Sequence, residues 1–308
     1  MEPKRLAVSG ASGVVGGPLV SELRSFGHSV RLLVRDRARA GERDNVYWNP
    51  AEGAVDPAPL EGHDAVIHLA GEPIFQVWTK SAKERIWESR VRGTRLLAEA
   101  LASLNAPPPV LISASAIGYY GDRPADERLD EDSPKGEGFL ADLVAAWEEA
   151  ADPARAAGIR VIHMRLGIVL SAAGGAMAAM LPAFRMGLGG PVGKGTGAFA
   201  WVASHEVPGV VRFAIKNRAL EGPINVVAPQ PATQQEFTGA LARALDRPSF
   251  LRVPAAVARL LPGGMAQETI LASSPVYPAR LLAHGYRHRL PDLDEALGHE
   301  LARSLEPA

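Results

Sequence analysis

The sequence contains no cysteine, and this absence is the first limit on what the protein does. Disulfides, thiolate catalysis and cysteine-ligated metal sites are therefore excluded. The formal net charge is only −1, so no excess of positive charge indicates a nucleic-acid or anionic-membrane partner. No apolar run reaches the length of about 18 residues that a membrane span needs. We expect a cytoplasmic protein, monomeric or homodimeric, that binds a small molecule rather than nucleic acid or membrane.

The 308 residues, 47% of them hydrophobic, suffice for one large domain or a domain with an added lobe. Short apolar runs alternate with helical periods, including long ones over 80–104 and 139–157. This alternation predicts an α/β fold with a doubly wound parallel (Rossmann) sheet. The predicted strands are 6–8, 29–34, 46–48, 65–71, 110–115, 160–166 and 220–227.

The amino-acid composition changes after Leu170, where glycine, alanine and methionine become frequent. We therefore predict a cofactor-binding domain over 1–170 plus about 205–228. A smaller C-terminal α+β substrate lobe is expected over about 171–204 plus 229–308. Within the lobe, the glycines of 187–197 surround Lys194 and indicate a mobile loop over a cleft.

Three glycines, at positions 10, 13 and 16, lie in the turn between the first predicted strand and the first predicted helix. They permit a tight turn, close approach of a pyrophosphate and close packing of helix on strand. The helix N-terminus would present free N–H groups to the anion. The alternative is a glycine-rich turn that binds nothing. The predicted cofactor contacts here are Gly10, Ser12, Gly13, Val14, Val15 and Gly16.

Arg35 follows directly on the second predicted strand, where a dinucleotide places its adenosine ribose. An arginine at this point can hold the 2′-phosphate of NADP, whereas an acidic side chain accepts from the 2′-hydroxyl of NAD. We therefore predict NADP(H). The alternative is a solvated Arg35 with Asp36 as the ribose contact.

Other predicted cofactor contacts lie near the carboxyl ends of later strands, where ligands of α/β sheets bind. Arg90 falls on the apolar face of a predicted helix and indicates a phosphate or cofactor contact. The alternative is an arginine that extends its charged end into water. The remaining predicted contacts are Leu69, Ala70, Gly71, Ser113 and Arg165.

Two further features are predicted to carry no site. The acidic segment 125–133 indicates a solvated loop rather than a substrate contact. His284 and His288 are four residues apart, but Gly285 interrupts the helix and no acid supports them. We therefore predict no metal.

Several motifs together resemble the extended short-chain dehydrogenases, and more narrowly the uncharacterised "epimerase family" group of nucleoside-diphosphate-sugar epimerase-like proteins. The resemblance spans nearly the whole chain. It implies an NADP-binding Rossmann domain and a small C-terminal domain of unknown function. The motifs include Gly10-x-x-Gly13-x-x-Gly16, His68-Leu69-Ala70-Gly71-Glu72, Ser113-Ala114-Ser115, Gly118-Tyr119-Tyr120-Gly121, Arg165-x-Gly167-Ile168-Val169-Leu170 and Pro291-Asp292-Leu293.

The resemblance also implies a catalytic serine followed by Tyr-x-x-x-Lys, in which the tyrosine is the general acid/base. Ser115 matches the serine, but Phe139 and Leu143 stand at the tyrosine and lysine positions. Neither side chain can carry a proton. Tyr120 is the best substitute donor on chemical grounds. The alternative is that Tyr120 packs under the cofactor and only hydrogen-bonds to it.

Two functions are consistent with these motifs. One is an NADP-dependent oxidoreductase or epimerase-like enzyme with a displaced acid/base. The other is a non-catalytic, redox-responsive NADP(H)-binding regulator, for which some bacterial relatives suggest a link to cell division. The substrate cannot be derived from the residues.

Overall fold

The computed structural model describes residues 2–42, 45–259 and 262–302. Its strands are β1 Arg5–Ser9, β2 Ser29–Val34, β3 Val46–Asn49, β4 Ala54–Val55, β5 Ala65–His68, β6 Val110–Ala116, β7 Arg160–Leu166, β8 Ile168–Leu170, β9 Ala198–Phe199, β10 Trp201–Ala203, β11 Gly222–Val226 and β12 Ala232–Thr233.

The helices alternate with the strands through the first half of the chain and dominate its last third. They are α1 Gly16–Ser25, α2 Arg37–Ala40, α3 Lys80–Ala102, α4 Phe139–Glu149, α5 Asp152–Ala156, α6 Gly175–Arg185, α7 Val207–Lys216, α8 Gln234–Ala244, α9 Ala255–Arg259, α10 Met265–Glu268, α11 Ala279–Ala283 and α12 Leu293–Ala302. Short 3-10 helices lie at Ala58–Leu60, Ile117–Tyr120 and Pro262–Gly264.

The central sheet has eight strands in the order β11-β7-β6-β5-β1-β2-β3-β4. Neighbours are parallel except β3 and β4, which pair antiparallel. The chain leaves β1 in one direction and returns to its other side at β5, so the order reverses there. The carboxyl ends at such a reversal form a ligand crevice. The predicted doubly wound sheet is confirmed, and β2 and β7 have the predicted bounds.

Helices cover both faces of the sheet. One face packs against α1 and α7 through residues such as Leu19, Leu23 and Val210. The other packs against α3 and α5 through Leu97 and Ala154. These apolar layers explain why the strands are continuous hydrophobic runs in the sequence.

A separate apolar cluster joins α6, α8 and α12, with Trp201 and Phe237 among its buried members. The division into two domains stays a prediction. Among the described residues, no helix is both long and apolar enough to cross a membrane.

The helix predicted over 139–157 is in fact two helices. The break falls at Ala150 and Ala151, and Pro153 lies in the first turn of α5. Proline has no N–H to donate to the carbonyl four residues earlier, so one continuous helix is disfavoured.

The acidic segment 125–133 is not a wholly solvated loop, and the prediction is wrong at Glu131. That side chain is buried and accepts from the backbone N–H groups of Asn225 (2.8 Å) and Arg280 (3.2 Å). Burial raises the pKa of the Glu131 carboxyl above its usual value. The residue links the loop to β11 and α11.

Candidate cofactor site

The glycine loop, residues 10–16, connects β1 to α1 at the point where the strand order reverses. A Cβ on Gly16 would lie 2.1 Å from the carbonyl oxygen of Gly10, and a Cβ on Gly10 would lie 2.7 Å from the Leu69 carbonyl carbon. Gly10 also has a φ of +70°, which favours glycine. Packing therefore requires glycine at the first and third positions of the motif.

The middle of the glycine loop is open. Ser12 and Gly13 are exposed, and the Gly13 N–H donates to the Gly10 carbonyl at 3.0 Å. Residue Val15, which precedes α1, provides no side-chain cap. The Gly17 N–H donates to the Gly13 carbonyl at 2.9 Å and Pro18 has no N–H, so the Gly16 N–H is the group of this turn that can bind an anion.

A second loop, residues 69–71 after β5, crosses the glycine loop and is held there by Ser9. The Ser9 hydroxyl lies 2.7 Å from Nδ1 of His68 and accepts from the N–H groups of Leu69 (3.1 Å) and Ala70 (3.3 Å). Since the hydroxyl accepts twice, its proton points to Nδ1 of a neutral His68. Complete burial lowers the pKa of His68 to about 4, which keeps the ring neutral.

Sequence reasoning missed both Ser9 and His68. A polar side chain at the end of a buried strand was the available signal, because it must find a partner where water is absent.

Arg35 is exposed just after the carboxyl end of β2. The neighbouring Asp36 caps α2 by accepting from the Ala38 N–H at 2.9 Å. The Asp36 carboxylate thus has a local structural role, which favours Arg35 over Asp36 for contact with a nucleotide ribose phosphate.

Arg90 is built into the wall beside the β5 exit. Its Nη1 donates to the Glu72 carbonyl at 2.9 Å, and its guanidinium lies over the Trp147 ring at 5.1 Å. A Cβ on Gly71 would lie 3.2 Å from the guanidinium carbon. Burial lowers the pKa of Arg90 to about 10. The alternative in which the guanidinium extends into water is wrong, because only 9% of the residue is exposed.

A chain of hydrogen bonds runs behind the carboxyl ends of β6, β7 and β11. The Ser115 hydroxyl donates to Glu148 at 2.6 Å, and Arg165 donates to both Glu148 carboxylate oxygens at 2.8 and 2.9 Å. Nη1 of Arg165 donates to the Tyr120 hydroxyl at 2.9 Å, which in turn donates to Asn225 at 2.7 Å. These five residues are named the buried polar network.

The buried polar network accounts for the protonation of its members. Hydrogen bonds and charge from Arg165 outweigh burial and hold the pKa of the Glu148 carboxyl below its usual value. Burial raises the pKa of Tyr120 to about 12, against the opposing effect of Arg165. Glu148 and Arg165 therefore form a charged pair, and Tyr120 stays protonated.

These contacts change the interpretation of three predicted site residues. Tyr120 has no exposed surface, and its hydroxyl already accepts from Arg165 and donates to Asn225, so it is poorly placed to exchange a proton with a ligand. Arg165 is 3% exposed, and its three nitrogens donate within the protein. Ser113 is fully buried and donates to the Ala114 carbonyl. Hydrogen bonds within the protein therefore account for Tyr120, Arg165 and Ser113 without a ligand contact.

The first turn of α4 carries Phe139 and Leu143 into an apolar cluster. Leu143 packs with Trp78, Ile86 and Met265, and the Phe139 ring meets the Trp78 ring edge-on at 5.2 Å. A carboxylate oxygen of Glu268 accepts from the Leu140 N–H at 2.8 Å and so caps α4 from a distant part of the chain. The start of α4 therefore has apolar side chains at positions 139 and 143, with Nζ of Lys83 4.8 Å from the centre of the Phe139 ring.

A cavity of about 760 Å³ lies elsewhere, between α8 and the segments 249–252 and 291–294. None of the predicted site residues lines it. The glycine segment 187–197 packs partly against the same region, since a Cβ on Gly190 would lie 1.6 Å from the Leu251 carbonyl oxygen.

Residues 6–226 match the NAD dependent epimerase/dehydratase family, and residues 253–300 match a domain of unknown function, DUF1731. The epimerase family protein Mb2239 of Mycobacterium bovis is 38% identical over 299 residues, which cover 97% of this chain and 98% of the relative. The epimerase family protein YfhF of Bacillus subtilis is 31% identical over 300 residues, covering 96% and 98%.

Solved structures agree with these sequence matches. A crystal structure of the human epimerase family protein SDR39U1 (isoform 2) with NADPH has a TM-score of 0.86 at 33% identity, covering 97% of this chain and 99% of that one. The UDP-glucose 4-epimerase of Thermus thermophilus, in complex with NAD, has a TM-score of 0.71 at 23% identity, covering 97% and 98%, and shows the fold alone.

Proposed function

Because the chain belongs to the NAD dependent epimerase/dehydratase family, we propose that it is an NADPH-binding oxidoreductase or epimerase-like enzyme. Its substrate is a small molecule, and its acid/base differs from the usual tyrosine and lysine. When bound, the nicotinamide cofactor supplies the hydride chemistry. The protein's own residues bind the dinucleotide, orient it and exclude water.

The observation that carries the NADPH assignment is Arg35 at the carboxyl end of β2, in the same crevice as the uncapped start of α1. The glycine loop and the first turn of α1 would hold the pyrophosphate, and Arg35 the 2′-phosphate. The absence of Cβ atoms at Gly10 and Gly16 lets the glycine loop pack against the backbone of Leu69 and against itself, which fixes the loop at the start of α1. The human relative solved with NADPH supports the same cofactor.

The test is thermal unfolding with NADPH or NADH at equal concentration. We expect NADPH to raise the Tm much more, because a ligand that binds the native state stabilises it by mass action. In Arg35→Ser, the Kd for NADPH should rise about 10- to 100-fold, as expected for a lost charge-assisted contact.

Arg95→Ala is the matched control, because Arg95 is an exposed arginine on α3. Its NADPH affinity should equal that of the wild type. Equal stabilisation by NADH and NADPH, or an unchanged affinity in Arg35→Ser, would show that the Arg35 assignment is wrong.

Of the two catalytic candidates, we retain Ser115 in the proposal and no longer favour Tyr120. Ser115 lies near the end of β6 next to the α4 helix, and its hydroxyl proton is committed to an ionised Glu148. Its lone pairs are therefore the part that remains for a ligand, which favours a ligand group that donates a hydrogen bond.

The apolar first turn of α4 favours a second candidate function, a non-catalytic NADPH-responsive regulator. Phe139 and Leu143 pack within an apolar cluster, and neither side chain can carry a proton, although Nζ of Lys83 lies 4.8 Å from the centre of the Phe139 ring. If the protein is an enzyme, at least one substrate in a panel of small carbonyl compounds should be reduced while NADPH is oxidised. The loss of NADPH absorbance measures this reaction. The regulator predicts no turnover but different hydrogen exchange with NADP⁺ and NADPH. A chain that binds NADPH yet shows neither response would contradict both functions.

A further inference from the structure

A cluster of His205, His299 and Glu300 lies outside the candidate cofactor site. His205 stands in the short connection between β10 and α7, and the other two residues are neighbours on α12. One potential ligand atom from each residue lies within 4.8 Å of the others. The cluster joins the last described helix to the connection that follows β10.

Glu300 is a buried carboxylate with an unusual set of partners. Its side chain is only 2% exposed. It accepts from the Ser204 hydroxyl at 2.9 Å and from the His205 backbone N–H at 3.2 Å, and it lies 2.9 Å from Nδ1 of His205.

Other buried carboxylates in this protein are stabilised in two ways. Glu148 is paired with Arg165, whereas Glu131 and Glu206 accept hydrogen bonds from backbone N–H groups. Among the described residues, Glu300 has no such lysine or arginine partner; its ion pair is with His205. A buried negative charge is costly without a compensating cation. Glu300 differs from Glu131 and Glu206 because potential ligand atoms of two histidines lie beside its carboxylate, and this is a donor set that binds a divalent metal ion.

The geometry favours the metal ion. The His205 and His299 rings have centroids 5.0 Å apart and planes 71° apart. Two imidazoles bound to one tetrahedral zinc at about 2.0 Å from each nitrogen have ring centres about 5 Å apart. Two histidines and one glutamate are also a common protein ligand set for zinc.

We propose that His205, His299 and Glu300 bind a divalent transition-metal ion, with zinc as the best chemical match. Metal binding at Nδ1 of His205 replaces the contact of that nitrogen with Glu300, because a ligating nitrogen must offer a free lone pair. The Ser204 hydroxyl orients the carboxylate as an outer-shell partner. The ion would anchor α12 to the β10–α7 connection and so stabilise this part of the protein.

This site is distinct from the one considered from the sequence. His284 lies near the Asn217 side-chain amide at 3.3 Å, and Nε2 of His288 lies 2.9 Å from the Val227 carbonyl oxygen. Spacing along the chain drew attention to His284 and His288. His205 is separated from His299 and Glu300 by more than 90 residues and meets them only in the fold.

The experiment is titration of the chelator-treated, full-length protein with zinc, followed by calorimetry and by Tm. We expect one ion per chain and a higher Tm with zinc. His205→Ala and His299→Ala should each weaken zinc binding by more than about 100-fold, beyond the 10- to 100-fold typical of outer-shell changes. Ser204→Ala should fall in that smaller range.

His284→Ala is the matched control, since it removes an exposed histidine outside the cluster. Circular dichroism of each variant without metal checks that it folds. Cobalt gives an independent measurement, because visible absorption typical of tetrahedral cobalt should appear in the wild type and His284→Ala and vanish in His299→Ala. Absence of zinc binding in the wild type, or its retention in folded His205→Ala and His299→Ala, would overturn the proposal.

Discussion

The glycine loop is held by contacts of the backbone with itself, whereas the buried polar network is held by side chains. In the loop, Gly16 leaves no room for a Cβ against Gly10, and the Gly16 N–H remains available to a ligand. In the network, Ser115, Glu148 and Arg165 satisfy one another. The first region therefore keeps backbone groups for a ligand. The second uses its polar groups to join strands and helices, and only the lone pairs of Ser115 remain for a ligand.

Of the changes that test this comparison, loss of Arg165 should lower the free energy of unfolding the most. Arg165→Met leaves the Glu148 carboxylate buried without its cation, and we expect the free energy of unfolding to fall by about 3–5 kcal/mol. Urea denaturation measures it. The control is Arg243→Ala, which removes an exposed ion pair with Asp294 and should cost less than about 1 kcal/mol. Equal losses in the two variants would contradict the structural role given to the network.

A methyl group in the glycine loop should have the next largest effect. Gly16→Ala forces the backbone apart, because the new Cβ would lie 2.1 Å from the Gly10 oxygen. We expect a loss of about 3 kcal/mol in unfolding free energy and weaker NADPH binding. The Cβ of Gly17→Ala would lie 3.8 Å from the Ala11 oxygen, an ordinary contact, and alanine should stabilise α1 by up to about 1 kcal/mol. A stable, NADPH-binding Gly16→Ala would show that the loop tolerates a side chain.

A lower pH should have the smallest effect on the free energy of unfolding. It tests the contact between the glycine loop and residues 69–71, because His68 lies there. Burial lowers the pKa of His68 to about 4, below the value of 6.5 that an unfolded histidine has. The unfolded chain therefore takes up the proton first, so stability is complete above about pH 6.5 and falls progressively down to about pH 4.

At about pH 5.5, protonation of His68 in the unfolded chain alone should lower the free energy of unfolding by about 1.2 kcal/mol relative to pH 7. The measurement is urea denaturation at the two pH values. His68→Asn should remove this part of the loss, whereas His284→Asn, at an exposed position, should not. Identical pH profiles for wild type and His68→Asn would contradict the neutral, buried state of the ring.

Much of the fold could be predicted from local pattern. The strand at 29–34, the alternation of strands and helices and the glycine turn all depend on residues close together in the chain. The single helix predicted over 139–157 was wrong, although Pro153 was visible as a helix breaker. The solvated role of Glu131 was wrong because its partners, Asn225 and Arg280, lie on distant segments.

The site could be predicted only in part, and for the same reason. The spacing of Gly10, Gly13 and Gly16 indicates a phosphate site because each glycine acts on the backbone of its own turn. Tyr120 and Arg165 stand at the expected sheet edge, but the sequence does not reveal that they bond to each other. Polarity at a strand end is compatible with a ligand contact or with a partner inside the protein.

The sequence by itself determined the sheet, the glycine loop and the position of Arg35, because backbone geometry and strand periodicity are local properties. Only the tertiary structure decided that Ser9 and His68 hold two loops together and that Glu268 caps α4. It alone brought His205 to Glu300. A buried polar group must find a partner wherever the fold supplies one, and neither residue type nor spacing says which partner that is.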